Sequence, residues 1–180
     1  MKGFFKFGKL PNMAIPQKII KHLNIKKIKY EILEHKTAYT AYDKAATLKI
    51  KPGMVVKTLI LKTDKDLILV LIQGNKNLDI GKTKKVVNDW KKKQGLKTVK
   101  KIDFISETVI KNKFKGVKIG VIPPFGDLWK LPVFTDRGLV NLQRAIISAG
   151  VHESSVRLNG NDLKKINPGT ILGNFSKAKK

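Results

Sequence analysis

The chain has 180 residues, is 42% hydrophobic and carries a formal net charge of +25. That length and apolar content suit one packed domain and exclude wholesale disorder. The absence of cysteine excludes disulfides and thiolate chemistry, and no apolar run reaches the roughly 18 residues of a membrane-spanning helix.

The opening segment, "MKGFFKFGKLPNMAIP", mixes charge with aromatics. Lys6, Lys9 and Pro11 interrupt its apolar run, so it does not read as a signal peptide. Residues 1 to 15 are expected to form an irregular basic arm, and residues 16 to 175 a single folded unit in the cytoplasm. Pro16 suits the first position of a helix whose face is Ile19, Ile20 and Leu23, ending near Asn24. From Ile28 the period changes to alternation, which predicts a strand to about His35. "TAYD", Thr40 to Asp43, is a capping-box opening for a short helix.

Pro52-Gly53 predicts a turn into the strand "MVVKTLILK", which "TDKD" reverses into "LILVLIQG" as a hairpin. Asn77 or Asp79 can cap a helix over 81–93, and "DFISETVIKNKF" reads as a shorter helix closed by Gly116. Strands are expected in "LPVFTD", "LQRAIISAG" and "SSVRLN", a helical turn in "DLKKI", and a frayed basic tail in "SKAKK". Helices and strands intermix without a regular βαβ beat. The fold class is therefore α+β, one domain with a mixed, largely antiparallel central sheet flanked by helices.

Chemical motifs are sparse. His22, His35 and His152 are dispersed without metal-ligand spacing, and neither a phosphate-binding glycine loop nor a G-x-S-x-G elbow is present. No metal or cofactor is expected. Of 38 basic residues only Arg137, Arg144 and Arg157 are arginine, against 13 acidic residues. Such a field attracts polyanions such as nucleic acid, although an AT-rich coding bias would also enrich lysine.

Lys57 stands out because Val55, Leu59 and Leu61 share its strand face. A buried lysine calls for an anionic partner or ligand; alternatively it snorkels to solvent at the sheet edge. The stretch "IGVIPPFGDLW" is stiff and uncharged up to Asp127. Pro123 and Pro124 lack N–H groups and fix φ, while Gly120 and Gly126 permit close backbone approach. It reads either as a connector or as a preorganised ligand loop.

Lys57 in "VVKTLIL", Thr40-Ala41 and Ala45-Ala46 before it, and "GVIPPFG" after it occur in an order that resembles the YbaK/EbsC family, the editing domain related to prolyl-tRNA synthetases. Glu34-His35, "VFTD" ending at Asp136, and "SAG" before "VRLNGNDL" extend the resemblance from Tyr30 to Ile166. It implies a trans-acting deacylase that hydrolyses the ester of mischarged tRNA, with the substrate's 2′-hydroxyl assisting water. Lys57 would engage the tRNA 3′ end, with Gly120 and Pro124 of the G-x-x-x-P loop as the other catalytic positions. Thr40, Val121, Ile122, Pro123, Gly126, Ser148 and Gly150 would bind substrate. The resemblance implies the aminoacylated tRNA end as partner and allows an aminoacyl-tRNA synthetase as a second, with no membrane. Lys36 stands where many relatives carry proline, and the basic arm has no counterpart. A non-catalytic RNA-binding protein on the same fold, and a small-molecule esterase or amidase, are the competing readings.

Overall fold

The computed structural model describes residues 15–179, so the arm expected over residues 1 to 15 lies, apart from Ile15, outside the described residues. The first elements are helix α1 (Gln17–Ile25), strand β1 (Glu31–Glu34) and helix α2 (Ala41–Thr47). Pro16 caps α1 from outside rather than forming its first turn, which suits a residue without an N–H to donate. The predicted capping box is present: Thr40 Oγ1 accepts from the Asp43 N–H and the Asp43 carboxylate from the Thr40 N–H, each at 3.0 Å.

The hairpin forms the centre of the sheet. β2 (Val56–Thr63) and β3 (Leu67–Gln73) pair antiparallel in the register Lys57–Ile72 and Leu61–Ile68. β4 (Lys76–Leu78) follows, then α3 (Ile80–Lys93), whose N-cap is Asp79, accepting from the Lys82 N–H at 3.0 Å. The segment expected as one helix from Asp103 divides into β5 (Ile102–Phe104), which pairs with the end of β2, and α4 (Glu107–Lys113). The remaining elements are α5 (Gly126–Trp129), β6 (Val133–Asp136), α6 (Arg137–Val140), β7 (Ala145–Ser148), β8 (Ser154–Leu158), α7 (Asp162–Ile166), β9 (Ile171–Gly173) and β10 (Ser176–Ala178).

The five-stranded sheet has the order β5-β2-β3-β6-β9. Its β2 side is antiparallel, and β3, β6 and β9 run parallel, so the central sheet is mixed as expected. An antiparallel sheet β1-β8-β7 meets it through a bridge between Val55 and Ile146. The tail expected to fray is instead a strand: β10 pairs antiparallel with β4. Asp136 explains this anchoring. Its carboxylate caps α6 through the Gly138 N–H and accepts the Phe175 and Ser176 N–H groups at 3.2 and 3.1 Å.

β3 is the innermost strand and reads as an unbroken apolar run because both its faces are covered. Leu69 and Leu71, with Val56 and Ile60 of β2, pack against Ile19 and Leu23 of α1 and against Phe125. Ile68, Val70 and Ile72 face Val87 of α3, Phe134 and Phe175. Among the described residues no helix is long and apolar enough to cross a membrane.

Candidate functional site

β3 covers one edge of β2 along its length. The other edge is paired with β5 from Leu61 to Thr63, and just before its start Val55 bridges to Ile146 of β7. Along the intervening residues, Val55 to Leu59, a cavity of about 300 Å³ opens. Three further segments close it: Ala38 to Ala41 with Lys44 at the start of α2, the Gly120-Val121 loop, and Ser148 at the end of β7.

The lysine singled out in the sequence lines this cavity. Lys57 is half-buried, and its Nζ donates to the Lys76 carbonyl of β4 at 2.8 Å. Burial lowers its pKa below the usual lysine value, and nearby Lys179 lowers it further. An ammonium has three donors, and one is committed to Lys76. Thr40 also lines the cavity, but its hydroxyl is committed to the α2 cap.

The proline loop divides in two. Gly120 and Val121 line the cavity, whereas Ile122, Pro123, Pro124 and Gly126 do not. Gly120 has φ +82°, which favours glycine, and an added Cβ would find only His152 Cε1 at 3.8 Å. Beyond it the chain turns inward: Ile122 and Phe125 join the core beside α1, and both prolines are buried. A Cβ on Gly126 would strike Val133 at 2.4 Å and the Leu131 carbonyl at 2.6 Å. The uncharged character of this stretch therefore follows from its packing. Asn167 holds it there, accepting the Gly126 N–H at 2.8 Å and donating to the Pro124 carbonyl at 2.7 Å. Gly150 does not line the cavity either. It shapes the wall from behind, with φ +85°, its N–H on the Val121 carbonyl and its carbonyl on the Lys118 N–H.

Two features have no counterpart among the sequence candidates. The first is Asn167. The second is Lys44, only 3% exposed, whose Nζ donates to Ser148 Oγ at 3.2 Å. Burial alone pushes its pKa down to about 8. A signal for it was present, because Ala41, Lys44, Ala45 and Leu48 have the i, i+3, i+4, i+7 spacing of a buried helix face. The alanines and Leu48 on that face do pack beside Val55 and Ile146. At the rim, Tyr39 is 71% exposed and leans on His152 with ring centres 4.9 Å apart. Tyr42 lies under the Lys179 ammonium at 4.4 Å. Among the described residues no three histidine or acidic side chains gather in metal-binding geometry.

The architecture recurs in solved structures. A hypothetical protein, APE2540, superposes with a TM-score of 0.73 at 18% identity, covering 89% of this chain and 99% of its own. A candidate trans-editing enzyme for prolyl tRNA synthetase gives a TM-score of 0.70 at 20% identity, covering 90% and 96%. At such identities the likeness establishes the fold alone. No curated protein matches the sequence. Residues 35–166, from His35 before α2 to the last residue of α7, match the aminoacyl-tRNA editing domain, and the chain belongs to that family.

Proposed function

We propose that the protein is a trans-acting deacylase that hydrolyses the ester bond of mischarged aminoacyl-tRNA in the cytoplasm. The observation that carries this reading is the convergence of Lys57, Thr40, Gly120-Val121 and Ser148, from separate segments, on one cavity. At about 300 Å³ it has the size of a small-ligand site. That suits an aminoacyl group with part of its ribose.

In this scheme the two uncommitted hydrogens of the Lys57 ammonium face the phosphate or sugar of the terminal adenosine. Lys179 adds charge beside it, and Tyr39 offers an exposed ring on which an unpaired base can stack. The Gly120-Val121 backbone positions the ester carbonyl. The substrate's 2′-hydroxyl orients a water that attacks the carbonyl carbon, and the ester bond to the ribose oxygen breaks. Pro123, Pro124, Gly126 and Gly150 act behind the wall, by fixing the Gly120-Val121 backbone. In the same scheme the basic arm, residues 1 to 15, adds affinity for the tRNA backbone, and a synthetase docks on the folded unit.

The test is a deacylation panel with Ala-, Cys-, Ser-, Thr- and Pro-charged tRNA. Turnover of at least one substrate supports the proposal. Retained tRNA binding with no turnover of any would replace it with a non-catalytic RNA-binding role.

A further inference from the structure

Lys44 is a buried cation that the scheme above leaves unused. It emerges from the apolar face of α2, reaches the cavity wall and contacts Ser148. Among the described residues it forms no ion pair. Its charge reaches His35, whose pKa is lowered first by burial and further by Lys44, against the opposing Lys36 hydrogen bond and Glu153 charge. His35 itself is committed to the Ser155 hydroxyl at 2.8 Å and the Lys36 carbonyl at 2.8 Å. Among the described residues no carboxylate therefore pairs with this ammonium, which is costly for a charge removed from water.

The direction of the hydrogen bond is fixed by chemistry. An ammonium only donates, so Ser148 Oγ accepts, and its own hydrogen is free to donate elsewhere. Ser148 is 7% exposed and lines the cavity with Gly120 and Val121. A hydroxyl whose oxygen is bonded to a cation is a stronger donor than an isolated one. We infer that Lys44 and Ser148 form a relay whose outer hydrogen binds the ester carbonyl oxygen and stabilises the negative charge developing there during hydrolysis. Ser148 is then a catalytic residue, and Lys44 a positioning residue acting through it. The uncompensated charge fits this role, because the neutral ester carries no anion at that oxygen and the tetrahedral intermediate does. Such differential binding lowers the barrier. The phosphate belongs instead with Lys57, which is half-buried near Lys179, while Lys44 is enclosed. The lowered Lys44 pKa, about 8, still leaves the ammonium largely charged at neutral pH.

This inference rests on the deacylase reading, and the test separates the two. The probes are 3′-alanylamino-3′-deoxyadenosine, a planar amide, and its phosphonate counterpart, which places a tetrahedral anion at the reacting centre. The wild-type protein is expected to prefer the phosphonate by about 100-fold, the scale of one oxyanion donor. Lys44→Met should remove most of that preference, weakening phosphonate binding far more than amide binding. Ser148→Ala should do the same, and the double variant should be no worse than either, because the two act as one unit. The Ala variant keeps the test open should the Met variant fail to fold. A phosphonate preference that survives both substitutions overturns the relay alone. So does accumulation of an acyl group on Ser148 in rapid-quench samples, which would make Ser148 a nucleophile. Failure of the wild type to bind either probe made with any of the five panel amino acids overturns the deacylase reading, and this one with it.

Discussion

Replacing Lys44 by methionine probes the cavity wall through stability as well as catalysis. Burial lowers its pKa from 10.5 to about 8. At 1.36 kcal/mol per pH unit, that gap corresponds to about 3 kcal/mol of unfavourable charge burial. The sign follows from proton counting. Between pH 8 and 10.5 the unfolded chain holds a proton on Lys44 that the folded chain has released, so stability rises with pH across that window. Below pH 8 both states are protonated, and the folded state bears the whole penalty.

Methionine keeps a similar length and removes the charge, but it also removes the bond to Ser148, worth about 1 kcal/mol. The variant should therefore be about 1–2 kcal/mol more stable than wild type at pH 7, with the advantage shrinking to nothing or reversing by pH 10.5. Urea unfolding followed by the fluorescence of Trp90 and Trp129 measures this. Comparing the two proteins at each pH cancels the titration of the other lysines. A variant less stable than wild type at pH 7, or a pH-independent difference, would refute the charge-burial argument.

The other expectations concern single contacts. Lys57→Ala should abolish deacylation while the fold persists, checked by single-turnover assay beside a circular dichroism melt; full activity would remove Lys57 from the mechanism. Tyr39→Ala should weaken binding of a CCA-ended oligonucleotide by about 1–3 kcal/mol if a base stacks on the exposed ring, and unchanged titrations would exclude that platform. Asn167→Ala leaves the Gly126 N–H and the Pro124 carbonyl without their buried partner. It should cost about 3 kcal/mol and speed amide exchange at Gly126. Asp136→Ala should release the Phe175 and Ser176 amides and make the tail susceptible to proteolysis, read by limited digestion.

Local patterns account for much of the framework. Residues with period-two alternation, followed by a polar turn and a fully apolar run, dictate the β2–β3 hairpin, and with it the placement of Lys57 on a strand. Thr40 with Asp43, and Asp79 before α3, mark helix starts because their side chains satisfy amides a few residues away. Such signals are legible because cause and effect lie within one turn of chain. The three-residue strands β4, β5, β9 and β10 are too short to show a period, and exist only because a distant edge accepts their hydrogen bonds.

The candidate site divides the same way. Lys57 and the glycine-proline loop could be named from the sequence, but the depth to which the loop enters the cavity could not. Packing of Ile122 and Phe125 against α1, and the clamp from Asn167, decide that only Gly120 and Val121 face the space. The sequence by itself determined the α+β class, the hairpin, the α2 cap and the lysine on β2, each through contacts between near neighbours. Tertiary structure alone decided the parallel half of the sheet, the anchored tail and the meeting of Lys44 with Ser148, 104 residues apart. A contact at that separation depends on where two independently formed elements are packed, and neither element's own residues carry that information.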